Sequence, residues 1–395
     1  MKCMPDLSII IPTANRQEYA VAAAKVIARA CPEAEIVFSD SSREDGLDGM
    51  LQEAGIPADR LVYRRQSHAI DVVSNFNHAA DAATGRWMMF LGDDDCIGPR
   101  IMDVVRWADG NSVDAVVSYG NQFHAVYYWP GVQSRYFGGS YSARLNINAF
   151  SGRARPLNAL QAVQSALKNF GAGLGWMARA YHGLVHRSVF ETILERHGKL
   201  FGGVSPDIYS GTLVSMLARK PAIVEWPFVL PGASPRSMAG HGAARTDRAD
   251  LWTHPHTAPF RGLQWDPLIP EFYSPTVVWS YSFKRAVDML GDNRLRPNLA
   301  LLYARSFLYD WDRRAATEAA VRAWGRNRGA AAAHLAVGAE IVLEGGRFAT
   351  KAVRRLGRMV RPPAGSSSIG DLQDIDAAYR ALDELTRRDF HLHLD

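Results

Sequence analysis

The sequence predicts an α/β fold: a mainly parallel sheet flanked by helices, with a helical carboxyl-terminal extension. Three observations carry this. Apolar runs of strand length alternate with helical segments through the amino-terminal third, the pattern of crossover-connected parallel strands. Polar and acidic residues fall where several of those runs stop, and beyond Pro275 helical periodicity takes over. The 395 residues, 47% hydrophobic and 22% charged, have the composition of an ordinary soluble globular enzyme and can bury the core of one large domain or two.

The elements follow in order. Leu7-Ser8-Ile9-Ile10-Ile11-Pro12-Thr13 reads as a strand buried on both faces. An Ala- and Val-rich helix from about Arg16 to Ala30 follows, then a strand from Glu35 to Ser39 that ends on Asp40-Ser41-Ser42. Leu61 to Arg65 is a third strand, Val72 to Ala83 a helix, and Trp87 to Leu91 a fourth strand that stops abruptly on Asp93-Asp94-Asp95. Right-handed crossovers bring Thr13, Asp40 and the acidic triplet to one rim, the carboxyl ends of the strands, where ligands gather in such sheets.

After a strand at Val113 to Ser118, the residues Tyr127, Tyr128, Trp129 and Tyr136 around Pro130-Gly131 predict a hairpin or flap beside the sheet. Then come a strand at Leu184 to His186, a helix from Ser188 to His197, a helix opened by Ser205-Pro206-Asp207, and a strand from Ile223 to Leu230. Pro231 to Thr257 reads as a long mobile loop, Pro362 to Ser368 as a linker, and Asp371 to Arg388 as a last helix. This divides the chain into residues 1–260, made of halves 1–118 and 119–260, and a helical extension 261–395.

Three adjacent carboxylates repel one another. A divalent cation of the magnesium or manganese kind, shared with substrate phosphates, relieves that repulsion; an acidic turn opening the helix after Pro99 is the plainer alternative. Net charge is +5, yet residues 1–100 hold 10 basic and 15 acidic side chains while 296–361 hold 13 and 5. Three cysteines without ligand-like spacing exclude a disulfide framework or zinc knuckle and fit a reducing cytoplasm. No segment reads as a signal peptide or a membrane span.

Taken together, Ser8–Arg16, Val37–Ser42 and Asn77–Trp87 running into the triplet resemble the family 2 glycosyltransferases of GT-A fold, which move a sugar from a nucleotide diphosphate carrier. The resemblance covers the first 110 residues or so and continues weakly to about 240. It implies a nucleobase pocket lined by Thr13 and Asp40, a ribose contact from Asp93 or Asp94, and a metal ion, Mn2+ or Mg2+, on Asp95. Asp207, opening a helix, matches the position of the catalytic base, although a helix cap explains it equally; relatives often have Glu-Asp where this chain has Pro206-Asp207. His241 in a glycine-flanked loop is a further candidate metal ligand, with Arg236 a candidate diphosphate contact. His254 and His256 are weaker candidates, and Trp176, Tyr181 and Trp226 either stack on a sugar or belong to the core.

The implied function is an inverting transfer from a UDP-sugar to a glycan or lipid-linked acceptor in surface polysaccharide synthesis. Sugar nucleotidyl transfer and a catalytically inactive GT-A-like binding protein are the alternatives; Thr13-Ala14-Asn15-Arg16-Gln17 lacks the glycine-rich phosphate loop of the former. From Arg347 to Arg361 six basic residues fall without an acid, and Phe348, Ala352, Leu356 and Met359 recur at helical spacing. Segment 345–361 therefore suits peripheral contact with an anionic membrane at the inner face of the cytoplasmic membrane, or packing on its own domain. No nucleic-acid recognition motif accompanies these charges.

Overall fold

A computed structural model describes residues 4–118, 123–134, 138–237, 249–360 and 366–389. Along the chain, β1 (Leu7–Thr13), α1 (Gln17–Ala30), β2 (Glu35–Asp40), α2 (Leu47–Glu53), β3 (Leu61–Arg65), α3 (Val72–Ala82) and β4 (Trp87–Phe90) come first. They are followed by β5 (Cys96–Ile97), α4 (Ile101–Gly110), β6 (Ala115–Val117), β7 (Ala125–Tyr128), β8 (Arg144–Ile147), β9 (Ala154–Pro156) and α5 (Ala159–Lys168). Next are β10 (Gly183–His186), α6 (Arg187–His197), α7 (Pro206–Leu217), β11 (Pro221–Val224), β12 (Val229–Leu230) and β13 (Gly232–Ala233). The helical region holds α8 (Pro275–Leu290), α9 (Leu299–Tyr309), α10 (Arg314–Arg328) and α11 (Ala330–Val360), before β14 (Ser367–Ile369) and α12 (Ile375–Asp389).

The main sheet runs β3-β2-β1-β4-β10-β6-β11-β9. Strands β1 to β4 are mutually parallel, β10 is antiparallel to both its neighbours, β6 and β11 are parallel, and β9 closes the edge antiparallel. This is the mainly parallel, helix-flanked architecture that the sequence implies. All seven residues of β1 are buried. Alternate side chains enter opposite cores, as a period of two requires: Ile10, Val37, Met88 and Phe90 on one face, Ile9, Ile11, Phe38 and Met89 on the other. Each such side chain contributes about 1.5–3 kcal/mol by leaving water.

Two short networks fix the crossovers. Asp71 caps α3 by accepting the Ser74 N–H at 2.8 Å. Glu35 at the start of β2 accepts the Ser8 hydroxyl at 2.5 Å and the Thr84 hydroxyl at 2.6 Å, tying α3's end to β1 and β2.

The expected flap is present as β7 and β8, in a small sheet ordered β13-β7-β8-β14. Its outermost strand comes from residues read as linker. From there the chain returns to the amino-terminal half: Tyr127 donates to the Leu372 carbonyl at 2.8 Å, Arg29 pairs with Asp376, and Ile375, Ala378 and Leu382 share a core with β1. On the opposite face α8 and α9 pack into the core that holds Phe170, Phe201 and Tyr209. The run Ile223 to Leu230 is two strands rather than one, because the chain bends at Trp226-Pro227, where the Trp226 indole donates to the Pro99 carbonyl at 2.8 Å.

Candidate functional site

Strand β4 ends at Phe90, and Leu91-Gly92 turns the three aspartates into the rim between β1 and β10. All three are almost fully buried. Charges taken that far from water need partners, and each carboxylate has a different set.

Asp93 accepts the Thr13 hydroxyl at 2.7 Å, and its other oxygen lies 2.9 Å from the Arg16 guanidinium. That second oxygen, Oδ1, makes the contact through charge alone, since no hydrogen bond of proper geometry reaches it. Burial raises the Asp93 carboxyl above its ordinary range; Arg16 opposes this and Asp94 adds to it. Asp94 Oδ2 accepts the Ser234 N–H at 2.9 Å, while Oδ1 faces Arg16 at 3.8 Å, and burial with Asp95 raises this carboxyl too.

Asp95 is held quite differently. Its Oδ2 accepts from the Gly92 N–H at 2.7 Å, the Tyr181 hydroxyl at 3.0 Å and His182 Nε2 at 2.6 Å, and its Oδ1 accepts the Gly232 N–H at 2.7 Å. Burial alone would push the carboxyl up, but His182 and the backbone donors reverse this and hold it below the ordinary range. Tyr181 stays protonated, raised well above its usual value by burial and by Asp95.

The residues that make this possible come from distant segments. Arg16 follows β1; burial opposes its charge, but Asp93 and Asp94 outweigh that and keep it firmly protonated. His182 is placed by a left-handed backbone, φ 63°, its N–H donating to the Phe90 carbonyl at 3.0 Å. The stretch after β11 wraps the cluster: β12 pairs with β5, then Gly232 and Ser234 deliver their N–H groups. Gly232 is obligatory, since a Cβ there would lie 1.7 Å from the Asp94 carbonyl. Arg236, a candidate diphosphate contact, is instead engaged by Glu18 at 2.6 Å and by the Asn15 carbonyl.

Asp40 is fully buried at the end of β2, accepting the Ser42 N–H at 2.8 Å and the Tyr63 hydroxyl at 2.9 Å. Thr13 serves as a strut between β1 and Asp93, its carbonyl also accepting the Ser41 N–H at 3.0 Å. Asp207 is half-buried in the first turn of α7, behind Ser205 and Pro206. Burial raises its carboxyl, with the Ile208 N–H, His182 and Arg179 acting against the rise. Asp207 thus shares its electrostatic surroundings with Tyr181 and His182.

His241 lies outside the described residues. His256 Nε2 donates to the Val204 carbonyl in the loop before α7 at 2.7 Å, and His254 stacks on Tyr273. Trp226 belongs to the core, whereas Tyr181 belongs to the aspartate cluster.

The donor set fits a hard divalent cation at Asp93 and Asp94, where Asp93 Oδ1 lacks a hydrogen bond and Asp94 Oδ1 has only charge facing it at 3.8 Å. Asp95 Oδ1, which accepts the Gly232 N–H alone, keeps a lone pair with which Asp95 could join them. Among the described residues no three His, Cys, Asp or Glu side chains converge so as to hold a metal ion by themselves.

Sequence reasoning passed over Arg16, His182, Gly232 and Ser234. Arg16 stood inside a quoted motif; the other three gave no local signal, because they lie 87 or more residues from the triplet they serve.

The chain is similar to several known proteins. Residues 8–152 match the family model described as glycosyl transferase family 2. A 94-residue stretch, 23% of this chain, is 35% identical to GalNAc(5)-diNAcBac-PP-undecaprenol beta-1,3-glucosyltransferase of Campylobacter jejuni, and spans 30% of that protein. Among solved structures, S. aureus TarS 1-349 in complex with UDP-GlcNAc superposes with a TM-score of 0.44 at 11% identity, covering 82% of this chain and 92% of that one. Mannosyltransferase PcManGT from Pyrobaculum calidifontis, in complex with GDP-Man and Mn2+, gives 0.40 at 15% identity, covering 98% and 89%. The family match spans the segment that carries Thr13, Asp40 and the three aspartates.

Proposed function

We propose that the protein transfers a sugar from a UDP-linked donor to a glycan or lipid-linked acceptor, with inversion at the anomeric carbon, in the assembly of a surface polysaccharide. The observation that supports this best is the buried aspartate cluster at the rim of β1, β2 and β4, with one guanidinium among three carboxylates. The Campylobacter relative, named as acting on an undecaprenol-linked oligosaccharide, supports the acceptor class.

In this reading Asp40 receives the uracil imide N–H, and one of Asp93 and Asp94 the ribose. Asp93 and Asp94, with Asp95 beside them, would hold a divalent cation, and such an ion when bound would supply charge neutralisation for the departing diphosphate. Arg16 holds the two raised carboxylates in place and presents its remaining N–H groups to phosphate oxygen. Asp95, held by four donors, is the fixed point that sets the turn from Gly92 to Asp95. Asp207 accepts the proton of the acceptor hydroxyl as the new C–O bond forms and the bond to diphosphate breaks. Its raised carboxyl is the better base for that, and positioned bases of this kind contribute about 10²–10⁴ in rate.

Calorimetric titration of the intact protein with UDP tests the reading, with and without Mn2+. Tight binding that a chelator abolishes is the expected result. UDP binding of equal strength in chelator would remove the metal, and a preference for nucleoside triphosphates would favour nucleotidyl transfer.

A further inference from the structure

Helix α11 has its surface chemistry turned outward. Its 31 residues extend about 46 Å. Leu335 and Val342, seven residues and two turns apart, are 75% and 76% exposed, with Leu343 and Phe348 at 54% and 61%. The side turned to the body holds Ala333 and Val337, both buried, and the helix's two acids. Glu344 is buried against Arg305 at 3.1 Å, and Glu340 accepts from Asn298 at 2.8 Å and lies 3.4 Å from Arg347. A surface helix of a soluble protein normally does the reverse, with its polar side outward.

Charge selects the occupant of this face. Both acids are engaged inside the molecule and pair with Arg347, while the sequence of the same helix carries Lys351, Arg354, Arg355 and Arg358 along its second half, and Arg361 follows it, with no acid among them. A second copy of the chain would bring two such cationic segments together. An anionic bilayer complements the cations and the hydrocarbon at once. No helix among the described residues is long and apolar enough to cross a membrane, so the geometry is that of a helix lying in the interface.

We propose that α11 docks the protein on an anionic phospholipid surface, with Leu335, Val342, Leu343 and Phe348 entering the acyl boundary and the net positive charge of the helix's second half favouring anionic lipid. The proposal is independent of the donor reading, since it can be measured without any sugar.

Flotation of the full chain with vesicles of phosphatidylcholine, alone or mixed with phosphatidylglycerol, tests it. Co-flotation is expected with the mixed vesicles, at least about tenfold weaker with phosphatidylcholine alone, and weakened by salt. Leu335→Gln/Val342→Gln/Phe348→Gln should lose about tenfold in binding, while its melting temperature and UDP titration match wild type. Lys351→Glu/Arg354→Glu should abolish the preference for phosphatidylglycerol. Three results would overturn the proposal: no flotation of the wild type, equal flotation of the triple glutamine variant, or a wild-type dimer in sedimentation equilibrium that this variant dissociates, which would make the face an interface between copies.

Discussion

At the end of β4 three carboxylates are almost entirely removed from water, and along α11 four large apolar side chains are left in it. The first region violates the usual distribution of charge, the second that of hydrocarbon. They differ in how far the violation is compensated within the chain. Around Asp95 four donors converge, so the charge is fully answered by the protein. Around Asp93 and Asp94 one guanidinium serves two carboxylates and leaves oxygen without a hydrogen bond, so the answer is partial. On the outward side of α11 nothing described covers Leu335 or Val342. Partial compensation within the chain is what the two proposals, a cation at the aspartates and a bilayer at α11, have in common.

The largest effect expected from this contrast is at Asp95. Asp95→Asn keeps the shape but turns an acceptor of four donors into a group that must itself donate, facing the His182 and Tyr181 side chains. Transfer should fall by at least about 10³, the scale for losing one preorganised electrostatic contact. Because an uncompensated buried group also remains, stability should fall by about 3 kcal/mol. Steady-state rates and denaturant melts measure the two separately. A variant with full stability and no activity would show that Asp95 contacts ligand directly rather than fixing the turn.

Arg305 and Glu344 form the corresponding buried pair in the helical region, and breaking it sharpens the comparison. Arg305 donates to Glu344 at 3.1 Å, to the Phe170 carbonyl at 3.1 Å and to Asn169 Oδ1 at 2.7 Å, joining α11 to the loop after α5. Glu344→Gln leaves the guanidinium without its counter-charge, and a loss of about 3 kcal/mol in denaturant melts follows. UDP affinity should stay unchanged, because the pair touches neither the aspartates nor Asp40. A change in affinity would mean that the helical region bears on the nucleotide site.

How much of this was legible in the sequence follows from the range over which each interaction acts. Strands β1, β2 and β4 announced themselves because both faces are buried, which demands apolar runs such as Ile9-Ile10-Ile11, whereas β3, at the sheet edge and only partly buried, was legible through Leu61-Val62-Tyr63 alone. The rim acids were legible because Asp40 and Asp93 to Asp95 close those runs. Helix α2 was missed, since only Leu47 and Leu51 are buried in it and seven residues give too short a period to read. Strands β12, β13 and β14 were read as strand continuation, loop and linker; strands of two or three residues are defined by partners far along the chain. The same reason hid His182 and Ser234. Domain limits at 260 and 261 followed composition, whereas α12 rejoins α1 through contacts that composition does not register, such as Arg29 with Asp376.

The smallest and most selective prediction separates Asp93 from Asp95 by the sign of their pH dependence. Burial lifts the Asp93 carboxyl to about 7, so in the range between an ordinary carboxylate and that value the folded protein binds a proton that the unfolded chain does not. Its contribution to stability is fully present below the unfolded pKa and is lost as pH rises through about 7. Asp95, held low, acts oppositely, with stability present above the ordinary range and lost only in stronger acid. Buried His124 and His256, both lowered by burial, work against Asp93 in the same window. The difference between wild type and Asp93→Asn cancels them. In chelator, the melting temperature of Asp93→Asn relative to wild type should become lower as pH falls from about 8 to about 6, by a few degrees for each kcal/mol of linkage. A difference flat across that range would mean that Arg16 compensates Asp93 in full, and the distinction drawn between the two aspartates would then close.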